Sequence, residues 1–174
     1  MIKRTCLAGL VAFATALPTT ALANNFNYNF LELRTGVSPE SFGGEFSTFF
    51  TENTHLVARI DSRMEGDWDA AGGIGFNGPI NAFADIYGQF LAHHLRGNGD
   101  ENHNTDVVME LNVGSRLWLT NQLEVHGRIG RTEEHSIIIA GVRFHSTQQM
   151  SLNAEARNAG VWGPQFSMGV RFQF

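Results

Sequence analysis

Apolar and polar residues alternate with a period of two along most of the chain, which is the pattern of β-strands. In the clearest stretch, 56–64, one face carries Leu56, Ala58, Ile60 and Met64, and the other carries Arg59, Asp61 and Arg63. The same alternation recurs over 106–118, 123–129, 152–157 and 166–174. No segment of useful length shows a helical period. The pattern predicts an all-β fold.

With the less regular segments included, the alternation predicts ten strands, most of them about the roughly 9–11 residues that a tilted strand needs to cross a bilayer. An even number is what antiparallel closure requires when both termini lie on one side. The predicted fold is therefore an antiparallel up-and-down transmembrane β-barrel. Eight strands stay open as an alternative, in case the glycine-rich segment 72–75 is not a strand. The predicted strands are 27–37, 42–50, 55–64, 69–76, 80–93, 105–119, 122–131, 134–145, 150–158 and 165–174.

Turn-forming residues separate several of these strands. With both termini in the periplasm, the tight turns face the periplasm and the long connection 94–104, rich in Gly, Asn, Asp and His, faces outward. Another outer connection, 38–41, is short, so the expected alternation of short and long connections is only partial. The tight turns are predicted at 51–54, 77–79, 120–121 and 146–149.

The first residues are typical of a secretory signal peptide. Lys3 and Arg4 precede an apolar run at 7–17, and an Ala-Leu-Ala cleavage site follows. The run is too short to span a membrane as a helix. The predicted organisation is a signal peptide at 1–23 and one barrel domain at 24–174.

Charge and cysteine content narrow the class further. Lys3, the only lysine, is removed with the predicted signal together with Arg4. The rest of the chain then carries ten of the 12 basic residues and all 17 Asp and Glu residues, so it is acidic. No basic patch suggests nucleic acid. Cys6, the only cysteine, lies within the predicted signal, which excludes a disulfide framework and a lipoprotein anchor. A lysine-free exterior indicates surroundings other than water.

The polar face of the predicted strands carries nearly all of their charges, whereas the apolar face carries none. Eight arginines and seven acids almost balance, as a narrow interior demands, because an unpaired buried charge is costly. Arginine suits such pairs because its planar fork bonds a carboxylate with two hydrogen bonds. We therefore predict that the polar face lines the interior and the apolar face contacts lipid. The predicted interior network is Glu32, Arg34, Glu45, Arg59, Asp61, Arg63, Asp85, Glu110, Arg116, Glu124, His126, Arg128, Arg143, Glu155, Arg157 and Arg171.

Aromatic residues lie at the ends of predicted strands, where a membrane protein carries its interfacial girdle. We expect these side chains to point outward, into the membrane interface. They are Phe26, Tyr28, Phe50, Phe76, Phe144, Phe172 and Phe174.

The last strand ends on Phe172 and Phe174 with apolar residues at alternate positions before them, and this ending resembles the C-terminal assembly signal of outer-membrane β-barrels. Together with 27–33 and the turn at 119–124, the chain is similar to small porin-family barrels of the OmpA/OmpX-like kind. The resemblance implies an outer-membrane location among outer-membrane lipid and lipopolysaccharide. It also implies assembly by the barrel assembly machinery with periplasmic chaperones. Such barrels share no single activity.

Acidic residues dominate outside the strands and at strand ends near the predicted outer rim, with only Arg96 and Arg131 to offset them. They suit a divalent cation that bridges to lipopolysaccharide phosphates, although a solvated acidic rim is the simpler interpretation. They are Glu40, Glu65, Asp67, Asp69, Asp100, Glu101, Asp106, Glu133 and Glu134.

Histidines near these acids raise the alternative of a transition-metal site. Their spacing matches no tight ligand motif, so no metal is predicted, and no cofactor signature is present. The residues are His93, His94, His103 and His135.

A lipid-modifying hydrolase would need a serine within hydrogen-bonding reach of a histidine. His126 shares its face with Glu124 and Arg128, and His145 precedes Ser146 at a predicted turn. Neither pattern establishes a catalytic pair, so the chain is predicted not to be an enzyme. The favoured hypothesis is a charged, largely plugged barrel with a structural or surface-interaction role, and a narrow pore for small solutes is the alternative.

Overall fold

The computed structural model describes residues 26–63, 66–96, 106–133, 135–159 and 163–174. The predicted signal peptide and most of the connection 94–104 lie outside these ranges. The strands are β1 Phe30–Val37, β2 Ser41–Thr51, β3 Thr54–Arg63, β4 Trp68–Asn81, β5 Ala84–Arg96, β6 Asp106–Trp118, β7 Leu123–Arg131, β8 Ser136–His145, β9 Met150–Ala159 and β10 Pro164–Gln173.

Every strand pairs antiparallel with its neighbours in sequence, and β1 pairs with β10 to close the barrel. The closing register runs from Phe30 opposite Gln173 to Val37 opposite Phe166. The up-and-down barrel is confirmed. Segment 72–75 lies inside β4, so the strand count is ten and not eight. The described residues contain no helix of the length and apolarity needed to cross a membrane.

The two ends of the barrel differ in the chain segments they carry. One end, called the terminus end here, holds the starts of β1 and β3, the end of β10 and the connections at 52–53, 82–83, 119–122 and 146–149. The other, called the loop end, holds the connections that follow β1, β3, β5, β7 and β9.

The predicted turn at 77–79 is wrong. Strand β4 runs on to Asn81, and the chain reverses at 82–83, where the Asn81 side-chain oxygen accepts a hydrogen bond from the Phe83 amide. Pro79 has no amide hydrogen to give to a ladder, so it belongs at an edge or an irregularity. The register between β4 and β5 shifts between Pro79 and Asn81, which accommodates it.

The strands bury their polar faces and expose their apolar faces. In β6, Leu111 is 61% exposed, whereas the side chain of Glu110 beside it is 2% exposed. A protein in water has the reverse arrangement, because apolar surface is driven out of water. The apolar exterior is therefore a lipid-facing band, and a closed barrel with such a band is the form in which strands span the outer membrane.

Inward-facing glycines leave room for large side chains that lie across the interior. A Cβ at Gly75 would meet the His55 ring at 2.1 Å, and a Cβ at Gly114 would meet the Tyr87 ring at 2.3 Å. Both distances are far inside van der Waals contact. The small residues on one strand thus fix where the rings of the neighbouring strand can lie.

Most of the aromatic residues that were expected in a girdle do point outward. Phe50, Phe76 and Phe174 are exposed at the terminus end, and Phe144 and Phe172 are exposed on β8 and β10. Phe26 and Tyr28 contradict the expectation, since they are 2% and 3% exposed. They lie inside the barrel mouth, because residues 26 and 28 continue the inward face of β1.

Candidate functional site in the barrel interior

The structure places the predicted interior residues on the inner wall, with two degrees of burial. Arg63, His126 and Arg128 are partly exposed. The other thirteen are buried, and they are Glu32, Arg34, Glu45, Arg59, Asp61, Asp85, Glu110, Arg116, Glu124, Arg143, Glu155, Arg157 and Arg171.

Glu124 is the centre of the ion pairs nearest the terminus end. Arg116 binds it with two hydrogen bonds, Nε to Oε1 at 2.9 Å and Nη2 to Oε2 at 3.0 Å. Arg143 donates from Nη1 to Oε1 at 2.6 Å, and His145 Nε2 lies 3.2 Å from Oε2. The carboxylate on β7 therefore joins the two adjoining strands, β6 and β8.

Glu32 extends this cluster across the closing seam. It accepts a hydrogen bond from Arg171 Nε at 2.6 Å and one from Asn153 Nδ2 at 3.0 Å. Arg143 Nη2 lies 3.5 Å from the same carboxylate. Asn153 Nδ2 also reaches Glu155 Oε1 at 3.2 Å. Side chains from β1, β8, β9 and β10 are thereby linked.

A second cluster lies closer to the loop end. Arg34 donates from Nε to Asp61 Oδ1 at 3.0 Å and lies 3.5 Å from Glu45. Arg59 donates from Nε to Glu45 Oε2 at 3.0 Å and has its Nη1 3.8 Å from Glu110. The pairs reach across the interior as well as along neighbouring strands, since Glu110 is on β6 and Arg59 is on β3.

His93 and Asp69 belong to this second cluster, although the sequence placed them near the outer rim. His93 Nδ1 lies 2.9 Å from both oxygens of Asp69, and Nε2 lies 2.8 Å from Glu110 Oε2. Both residues are on inner faces, of β5 and β4. The alternation along β5 predicts the inward position of His93, because an even number of residues separates it from Asp85 and Gln89 on the same strand.

Three of the predicted arginines have partners other than a carboxylate on an adjoining strand, and the partner of Asp85 is a tyrosine. Arg63 pairs at 3.7 Å with Asp67 at the loop end, and Arg157 lies 4.0 Å from Asp61 across the barrel. Asp85 accepts the Tyr28 hydroxyl at 2.6 Å. Arg128 donates to Gln89 Oε1 at 3.1 Å, and among the described residues no carboxylate forms an ion pair with it.

Little open space remains between these side chains. A central cavity of about 40 Å³ and a second one nearer the loop end of about 20 Å³ are found within the barrel. A single water needs roughly 10–15 Å³ of such space. The charged residues around the central cavity are Arg34, Arg116, Arg128, Arg143, Arg171, Glu32, Glu45 and Glu155.

The remaining candidates for chemistry do not assemble into a site in the described ranges. No group of three His, Cys, Asp or Glu side chains there could hold a metal ion. His126 Nε2 lies 3.0 Å from Glu155, and neither His126 nor His145 has a hydrogen bond to a serine in that part of the chain. Glu65, Asp100, Glu101, His103 and Glu134 lie outside the described residues, and nothing is described of the Asp106 side chain.

Comparison with known proteins finds the fold in solved porins. The chain is similar to the KdgM porin in complex with disordered oligogalacturonate, with a TM-score of 0.56 and 9% identity over 83% of this chain and 99% of that one. It is also similar to the NanC porin, with a TM-score of 0.58 and 9% identity over 83% of this chain and 100% of that one. No protein family matches the sequence, and no curated protein sequence matches it. The likeness shows the fold, which is that of a small outer-membrane β-barrel.

Proposed function

We propose that the protein is a closed barrel of the outer membrane with a structural or surface-interaction role, and that it does not form an open diffusion channel. The observation that carries the proposal is the filled interior, whose central cavity of about 40 Å³ holds a few waters at most. Ten strands enclose slightly more than the eight that side chains alone can fill, and far less than the 16–18 of an aqueous porin. Arginine and tyrosine side chains fill the additional space that ten strands enclose.

Planar-bilayer recording of the refolded protein tests this proposal. A closed barrel gives no stable single-channel steps in potassium chloride, and vesicles that contain it retain small sugars as long as empty vesicles do. A known wide porin in the same lipid serves as the positive control. Stable, ion-dependent steps in the wild type contradict the proposal.

A narrow passage for small anions is the second candidate. The wall of the central cavity carries five arginines against three glutamates, and Arg128 donates to Gln89 without forming an ion pair with any carboxylate of the described residues. A porin of similar fold has been solved in complex with oligogalacturonate. On this alternative, a salt gradient gives a reversal potential that favours chloride, and Arg128→Gln reduces that preference. If neither the wild type nor Arg128→Gln carries an ion current, the passage is ruled out.

The proposed surroundings and partners are outer-membrane lipid, lipopolysaccharide, the barrel assembly machinery and periplasmic chaperones, with no nucleic acid. The exposed phenylalanines at 172 and 174 support recognition of the last strand during assembly. Phe174→Ala is expected to slow insertion in cells, while refolding of the purified protein into lipid is unchanged. Equal loss in both assays would indicate a role in stability alone.

No enzymatic activity is proposed. The histidines that a hydrolase would use are held by Glu155 and Glu124, and neither has a serine partner among the described residues. A lipid product found by mass spectrometry, and abolished by His126→Ala or His145→Ala, would contradict this.

A further inference from the structure

Four residues ahead of β1 cross the mouth of the barrel at the terminus end. Phe26 and Tyr28 point inward, in step with Phe30 and Glu32, while the asparagines between them face the opposite way. The segment 26–29 is called the stopper here. It is part of neither the sheet nor the outer girdle, so its two buried rings require a reason other than strand pairing.

The stopper is attached to the rim on both sides of β1. Asn29 Oδ1 accepts hydrogen bonds from the Phe49 amide at 2.8 Å and from the Thr48 hydroxyl at 3.1 Å, at the end of β2. On the other side, the Phe174 amide donates to the Asn29 carbonyl at 3.2 Å. The Asn27 side-chain amide donates to the Phe174 carbonyl at 3.3 Å. These bonds fix where the chain enters the mouth.

Contacts of the stopper reach the far wall. In the ring of ten strands, β6 lies five strands from β1 in either direction, which places it directly opposite. Phe26 packs on Trp118 of β6 with ring centroids 6.0 Å apart. The guanidinium carbon of Arg116, also on β6, lies 4.9 Å from the Phe26 ring centre and 5.2 Å from the Tyr28 ring centre. The stopper thus spans the whole width of the lumen.

Tyr28 fills the part of the mouth next to β3 and β5. Its hydroxyl donates to Asp85 Oδ2 at 2.6 Å, and its ring stacks on His55 with centroids 4.4 Å apart. Phe49 and Tyr87 meet it edge-on at 5.7 and 6.1 Å. Tyr28 also lines the central cavity, so it separates that cavity from the terminus end.

From these contacts we propose that the stopper is the gate of the barrel: it seals the central cavity from the terminus end, and its withdrawal, which releases Arg116 and Asp85, opens a path for small ions past the charged side chains of the interior. Apart from the backbone bond between Phe174 and Asn29, the gate is held by side-chain bonds and ring contacts and lies outside the paired strands, so it can leave while the barrel stays closed on itself. Cation–π contacts and a single hydrogen bond to a carboxylate are each weak beside the paired strands of a closed barrel. The inference rests on the proposed closed state.

The test compares two double variants in planar bilayers. Phe26→Ala with Tyr28→Ala removes both inward rings, whereas Phe50→Ala with Phe83→Ala removes two exposed rings at the same end. The stopper variant is expected to give resolvable single-channel steps in potassium chloride. The control and the wild type are expected to give none.

A milder variant keeps the test valid if the double variant fails to fold, which loss of the β-sheet circular dichroism signal would reveal. Tyr28→Phe retains the ring and loses only the hydrogen bond to Asp85. We expect ion efflux from vesicles to rise roughly tenfold, the factor that corresponds to about 1.4 kcal/mol. No rise in efflux, in a variant that folds, overturns the gate.

The outcomes separate the gate from the proposed function. A silent wild type with a conducting stopper variant supports both. A silent wild type and an equally silent, folded stopper variant overturn the gate and leave the closed barrel standing. Wild-type steps overturn the permanently closed barrel, and the gate then holds only if the stopper variant stays open for a larger fraction of time.

Discussion

The inner and outer faces of β6 are made from alternate residues of one strand, yet their compositions are opposite. Leu111 and Val113 face outward and are exposed, whereas Glu110, Asn112 and Arg116 face inward and are buried. A buried charge is tolerated only with partners, and an exposed apolar band only with lipid around it. The comparison shows that the outer face of β6 is suited to lipid and the inner face to paired charges inside the barrel.

The largest effect is expected from breaking the inner face at Glu124. Glu124→Gln keeps the shape but leaves Arg116 and Arg143 without their shared carboxylate. Breaking a buried pair in this way costs about 3–5 kcal/mol. Urea unfolding from lipid vesicles measures the loss. Glu52→Gln, at an exposed turn of the same end, is the control, and equal losses in the two variants would mean that the Glu124 cluster does not stabilise the barrel.

A somewhat smaller effect is expected from placing a charge on the outer face. Leu111→Arg puts a guanidinium on the lipid side of β6 and should cost about 2–4 kcal/mol. Leu119→Arg, exposed in the turn after β6, should cost about 0–1 kcal/mol because it reaches the membrane surface. The same urea series measures both. Equal costs at the two positions would remove the evidence for a membrane across β6.

The smallest effect is expected where the inner face is filled by a neighbouring ring. Gly114→Ala adds a methyl group that would meet Tyr87 at 2.3 Å, so the ring must move, at a cost of about 1–3 kcal/mol. Gly78→Ala is the matched change, since nothing lies within 4 Å of the added carbon. It should be neutral or slightly stabilising. A neutral Gly114→Ala would show that the interior is loosely packed.

Much of the fold could be predicted from the sequence because a period of two fixes both strand and face. The ten strands follow from it, and so does the inward face of β6. The turn after β4 could not, because a tolerated register shift at Pro79 has no signature in the alternation. The ion pairs could not either, since Glu124 meets Arg116, Arg143 and His145 only through the register of three strands.

The inward direction of Phe26 and Tyr28 does not follow from residue type, because aromatic residues at strand ends are typical of a membrane girdle. It follows from their positions in the alternation of the first strand. Their phase is that of Glu32, while Leu31 and Leu33 alternate with them. The position of a residue in the alternation therefore determines whether its side chain points to lipid or to the lumen, even when the side chain is aromatic.

Fluorescent labels on single cysteines show directly whether the outer face of the barrel contacts lipid and the inner face is shielded from water. Cys6, the only cysteine, lies in the predicted signal peptide, so a chain refolded without residues 1–23 carries no other cysteine. Leu111→Cys and Ser115→Cys point outward from β6, whereas Ser167→Cys of β10 is buried on the inner face. In vesicles with brominated acyl chains, bimane at 111 and 115 should be quenched, and the cysteine at 167 should resist labelling until the protein unfolds. Bimane at 111 that is quenched by a water-soluble agent and not by the lipid, with ready labelling at 167, would contradict the membrane barrel.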